Sequence, residues 1–123
     1  MYDENIEKTV LYYLIFENEE LSLNERDFFL VKNKQIFAAI EKIRKKKEEV
    51  NILSIKKTIE GKDTEILKYI SKIAESKFGS SIDYAYKELK RLSKKRELLR
   101  ISNVIKENAE NEPEIEVLIE KII

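Results

Sequence analysis

Few side chains in this 123-residue sequence are suited to catalysis, and those few stand apart from one another. There is no histidine, which removes an imidazole base, a proton shuttle and an imidazole metal site. There is no cysteine either, so disulfides and thiolate metal sites are excluded, and a reducing compartment is the natural setting. Glu17, Glu19 and Glu20 are the carboxylates nearest to a working set, but they fall in a polar connector and read as a solvated acidic loop. Gly61-Lys62-Asp63-Thr64 has the outline of the end of a phosphate-binding loop. It lacks the upstream glycine, a Ser or Thr directly after the lysine, and a preceding strand, so a helix C-cap followed by an N-cap explains it better. Ser and Lys nucleophiles have no visible partner base. The chain by itself is therefore expected to have no catalytic residues, no cofactor and no metal.

What remains is charge. Twenty-four basic and 24 acidic residues cancel, which argues against a dedicated nucleic-acid binder. Locally the balance is uneven: residues 84–100 hold seven Lys/Arg against two Glu, while residues 106–123 hold two Lys against six Glu. The run Lys42 to Lys47, with five basic residues, can be read as a phosphate-contacting surface or as the solvated outer face of a helix with Lys near its C-terminus. Lys87, Lys90, Arg91, Lys94, Lys95, Arg96 and Arg100 leave the same two readings open, with Lys94, Lys95, Arg96 and Arg100 the candidate charged contact surface. The tyrosines are not interleaved with these charges as a base-stacking platform requires, and read as core-edge residues.

The elements that must carry these groups are helices. Two glycines and one proline leave few strand turns, and 39% charged residues dominated by Lys and Glu favour helix. Asp3 can cap a first helix to about Glu17, with Ile6, Val10, Leu11, Leu14 and Ile15 inward. Asn24 can cap a short turn that delivers Phe28 and Phe29. A helix over Lys32–Lys47 buries Ile36, Phe37, Ile40 and Ile43. Asn51 or Ser54 opens a helix marked by Ile52, Ile55 and Ile59 and closed by Gly61. Asp63 or Thr64 opens another, with Ile66, Tyr69, Ile70, Ile73 and Ala74 buried. The longest apolar run, Val10–Phe16, is far short of a membrane span, and the acidic N-terminus is no signal peptide.

Ser81 to Ala109 contains no Gly or Pro. As one helix it reaches about 43 Å, more than the roughly 30 Å of a small domain. Ile82, Ala85, Tyr86, Leu89 and Leu92 form one stripe. After Ser93–Arg96 the stripe resumes as Leu98, Ile101 and Ile105, displaced about 100–150° around the axis. Asn111-Glu112-Pro113 breaks the helix, and Ile115, Leu118, Ile119 and Ile122 make a further stripe. The expected fold is all-α: a compact head of about five helices over residues 1–80, then a long helix and helical hairpin over residues 81–123. Leu98, Ile101, Ile105, Leu118 and Ile122 need covering and are the candidate self-association or partner interface.

Three stretches, taken in order, resemble the N-terminal domain of the DnaB-type hexameric replicative DNA helicases. The family's E-x-x-V-L-G-x-L-L appears as Glu7, Val10, Leu11, Leu14 and Ile15, with Tyr12 in place of Gly. Its D-F-Y and H-R-x-I-F-x-A-I appear as Asp27-Phe28-Phe29 and Asn33-Lys34-Gln35-Ile36-Phe37-Ala38-Ala39-Ile40. Its Y-A and R-E-L-I-R-I-A appear as Tyr84-Ala85 and Arg96-Glu97-Leu98-Leu99-Arg100-Ile101-Ser102. Val10, Leu11, Leu14, Phe28, Ile36, Phe37 and Ile40 are the core positions of these motifs.

The resemblance implies a non-catalytic, cytoplasmic domain that pairs with itself through its hairpin and builds a collar above a motor ring. Its implied partners are a second copy of itself and a primase, with DNA touched weakly or indirectly and no membrane. The parent would be an ATP-dependent DNA helicase whose ATP and magnesium belong to the motor, and the chain ending at Ile123 within the hairpin reads as a piece of that parent. Two alternatives stay open: the helicase-binding C-terminal domain of a DNA primase, and an unrelated all-helical adaptor.

Overall fold

A computed structural model gives the fold, described here for residues 1–59, 64–75 and 80–111. Within them the order is α1 (Glu4–Phe16), a 3-10 turn (Glu25–Asp27), α2 (Val31–Lys45), α3 (Ile52–Thr58), α4 (Thr64–Glu75) and α5 (Ile82–Asn111), with no strand among the described residues. The helices start where the sequence supplies an acceptor for their unpaired N–H groups. Asp3 accepts from the backbone of Asn5 at 3.0 Å and Ile6 at 3.2 Å. Asn51 and Ser54 form a reciprocal capping box, each backbone N–H donating to the other's side-chain oxygen at 2.9 and 2.8 Å. The Ser81 hydroxyl accepts from the Tyr84 N–H at 3.2 Å and opens α5.

Two helices end on a left-handed residue that is not glycine. Asn18 follows α1 at φ 52°, and Lys47 follows α2 at φ 59°. The Lys47 and Glu48 N–H groups donate back to Arg44 O and Ile43 O at 3.0 and 3.2 Å, closing the carbonyls of the last turn. This reversal stops α2 at Lys45, two residues before the end expected from the basic run.

The core gathers around α1, which packs on α2, α4 and α5. Ile6, Val10, Leu11, Leu14 and Ile15 of α1 meet Ile36, Phe37, Ile40 and Ile43 of α2, Ile66, Ile70 and Ile73 of α4, and Ala85 and Leu89 of α5. Phe28 lies buried with its ring 5.2 Å from that of Phe37. Each fully buried Leu, Ile or Phe contributes about 1.5–3 kcal/mol relative to exposure. Ala74, expected inward, is exposed: Ile66, Ile70 and Ile73 already fill the narrow strip of α4 that faces the core. Ile52 is also on the surface, at 36% exposure, leaving Ile55 as the buried anchor of α3. Gly61, Asp63, Pro113 and the stripe from Ile115 to Ile122 lie outside the described residues. No described helix is long and apolar enough to cross a membrane.

Lys47→Gly tests the end of α2. Relief of a left-handed non-glycine residue is worth about 1–2 kcal/mol, and the flexibility of glycine costs about 0.5–1 kcal/mol. Chemical denaturation should show a net gain of about 0.5–1 kcal/mol, whereas an unchanged or lower midpoint would place Lys47 in another conformation.

Candidate functional site

The long helix is one rod with two environments. It has 30 residues and so runs about 45 Å. Ala85, Leu89 and Leu92 are buried at 0, 1 and 8% exposure, and there the burial stops. Leu98, Leu99 and Ile105 are exposed at 65, 50 and 45%, and Ile101 and Val104 are half-buried. Leu98, Ile101 and Ile105 thus occupy one apolar stripe on the projecting half of α5, spaced as helix neighbours. Leu99 and Val104 widen that stripe and were not singled out by the spacing argument. Leu118 and Ile122 lie outside the described residues.

The root of this projection is locked by polar contacts to the 3-10 turn. Asp27, almost fully buried, accepts from Lys90 Nζ at 2.8 Å and from the Asn24 N–H at 2.8 Å. Burial alone would raise its carboxyl, but the Lys90 ammonium, the Asn24 amide and the Ser93 hydroxyl outweigh it and hold the group below its ordinary 3.8. The stability this pair supplies is complete above that ordinary value and is lost as the pH falls through the lowered one. One turn further along, Arg96 donates to Met1 O at 2.9 Å, Asp27 O at 3.0 Å and Arg26 O at 3.3 Å. Its guanidinium also lies over the Phe29 ring, 5.7 Å from the centroid, and Phe29 in turn stacks on Tyr2 at 4.4 Å. Arg96 is therefore an anchor, held by carbonyls, while Lys94, Lys95 and Arg100 stay exposed. Arg100 pairs along the helix with Glu97 at 2.6 Å, and Arg91 pairs likewise with Glu88.

A second polar node sits inside the head. Glu7, 1% exposed, accepts from the Phe29 and Leu30 N–H groups at 3.0 and 3.2 Å and from Asn33 Nδ2 at 2.9 Å. It closes off the N–H groups that lead into α2, at Phe29 and the N-cap Leu30, delivered from α1 across the chain. Asn33, fully buried, passes the connection on by accepting from the Tyr69 hydroxyl at 2.7 Å. Burial, reinforced by the nearby Glu4 and Glu7 carboxylates, pushes the Tyr69 hydroxyl up to about 12. Nothing in the local sequence marks Glu7, Asn33 and Tyr69 as partners. The only signal is that Glu7 opens the first motif and Asn33 the second.

Among the described residues no group of carboxylates is placed to hold a metal ion. Comparison with known proteins then adds one finding. The family model described as the DnaB-like helicase N terminal domain matches residues 1–91, about three quarters of the 123-residue chain. No curated protein matches it. The matched span covers the head and the docked half of α5, and it closes beside Leu92, where burial also ends.

Glu7→Ala should cost about 2–4 kcal/mol in denaturant unfolding, because it strands two backbone N–H groups and an amide at a buried site. Glu7→Gln should cost less, since its amide oxygen still accepts. Equal losses for both would mean that packing, not acceptance, is what Glu7 supplies. Tyr69 predicts an alkaline limit: its neutral phenol stabilises the fold fully below pH 10, and this contribution is lost as the pH rises towards and through about 12. An ultraviolet tyrosinate titration should show one late-ionising tyrosine that disappears in Tyr69→Phe.

Proposed function

The chain belongs to the family of DnaB-like helicase N-terminal domains, and from that premise we propose that it works as a non-catalytic assembly domain. In this reading the projecting half of α5 pairs with a second copy, paired domains build the collar of a replicative helicase, and the same domain docks a primase. The collar acts in the cytoplasm on a parent whose separate motor hydrolyses ATP with magnesium. DNA is reached through that motor, in keeping with a chain of zero formal net charge.

The observation that carries the proposal is the exposed stripe of Leu98, Ile101 and Ile105 on a helix whose other half is firmly docked. Apolar side chains at helical spacing, 65 and 45% exposed at Leu98 and Ile105, fit an occupant that brings its own apolar stripe. Charge supports a like partner. The net excess of basic residues over 84–100 and of acidic residues over 106–123 lets antiparallel copies set opposite signs against each other. Exposed pairs of this kind steer and align more than they stabilise, each worth about 0–1 kcal/mol.

Sedimentation of the chain and of Leu98→Glu/Ile101→Glu tests the pairing. The parent sequence should self-associate in a concentration-dependent way, and the double variant should shift towards monomer by at least about tenfold in dissociation constant. Its circular dichroism should stay that of a folded head. A parent chain that remains monomeric at high concentration, with a dispersed folded spectrum, would remove the support for pairing.

A further inference from the structure

At the root of α5, against the 3-10 turn, lies a basic cleft. Its volume is about 350 Å³, within the roughly 300–1,000 Å³ of small-ligand sites. Arg26, Lys90, Lys94, Arg96 and Arg100 line it against two carboxylates, Asp27 and Glu97, leaving three positive charges in excess in a chain whose total is zero. Both carboxylates are already committed, Asp27 to Lys90 and Glu97 to Arg100. The three carbonyls around Arg96 fix its guanidinium without neutralising its charge. Arg26 and Lys94 make no side-chain hydrogen bond or ion pair among the described residues. A net positive concavity raises the local concentration of anions, most of all multivalent ones.

We propose that this cleft binds a compact polyphosphate, the di- or triphosphate group of a nucleotide. Linked phosphates present many oxygens within a short span. The cleft offers the planar guanidinium of Arg26, the N–H groups of Arg96 that its three carbonyls leave over, and the Lys94 ammonium to meet them. Enclosure between the turn and α5 suits a short cluster of charge better than a strand, whose phosphates need a continuing basic track. The exposed Lys42, Lys45, Lys46 and Lys47, at and just beyond the end of α2, do not line the cleft. Tyr2, stacked on the Phe29 ring that Arg96 overlies, remains 46% exposed, which gives the base of a nucleotide an aromatic face.

Calorimetric titration of the full chain with sodium tripolyphosphate, ATP, orthophosphate and an oligothymidylate without terminal phosphates tests it. Tripolyphosphate and ATP should each bind saturably at one site, more tightly than orthophosphate and more weakly as salt rises. Arg26→Ala/Lys94→Ala should weaken both on the order of tenfold or more, the loss expected when charge-assisted contacts are removed. Lys45→Ala/Lys46→Ala at the C-terminal end of α2 should leave both within about twofold, as remote screened charges do. None of the four replaced side chains makes a hydrogen bond or ion pair among the described residues, and matching melting curves confirm intact folds. Three results would overturn the proposal: no saturable binding, equal losses in the two double variants, or an oligothymidylate that binds more tightly than ATP.

Discussion

The head depends on one buried carboxylate. Glu7 sits on the inner side of α1 among isoleucines and leucines, where a polar group is tolerated only if its oxygens are met by donors. The donors come from the start of α2: two backbone N–H groups that no helical carbonyl can satisfy, and the Asn33 amide. Each side solves the other's problem, since the carboxylate gains partners and the N–H groups leading into α2 gain an acceptor. Because Asn33 continues to Tyr69, a single polar chain fixes α1, α2 and α4 against one another. Apolar contacts alone allow neighbouring helices to slide by small amounts, whereas this node specifies one register.

The second constraint works at the surface. Asp27 and Arg96 tie the 3-10 turn to α5 from both directions, the carboxylate receiving Lys90 and the guanidinium reaching the turn's own carbonyls. The turn itself has only a short run of backbone bonds, and Phe28 at its end must enter the core while Phe29 stays out. Side chains from α5 thus hold in place the segment that seats Phe28. Head and long helix are in this sense folded by each other, and the family match stopping beside Leu92 follows the same physical boundary.

The sequence made the apolar faces legible because they repeat every three to four residues and need no knowledge of distant chain. Val10, Leu11 and Leu14, or Ile36, Phe37 and Ile40, point inward from their spacing alone. Caps at Asp3 and Asn51 were readable for the same local reason. Ala74 was misplaced because periodicity gives the centre of a face but not its width. The Glu7 node was hidden, since Glu7 and Asn33 are 26 residues apart and each looks like an ordinary helix-surface residue in its own window. Arg96 was hidden in the opposite way. Amid Lys94, Lys95 and Arg100 it looks like one more solvated charge, and only the approach of the N-terminus and the turn gives it carbonyls to bind.

The bond from Arg96 to the Met1 carbonyl has a mechanical side. From Leu92 to Asn111 the free part of α5 extends about 28 Å at ~1.5 Å per residue. A helix of that length is a lever, and a tilt of about 10° at its pivot carries its tip through about 5 Å, about half the ~8–10 Å separation of packed helices. The pivot is gripped at the Met1 carbonyl. Whatever loosens or tightens the N-terminal residues is therefore magnified at the far end of the arm, where the fit of one surface to another is decided.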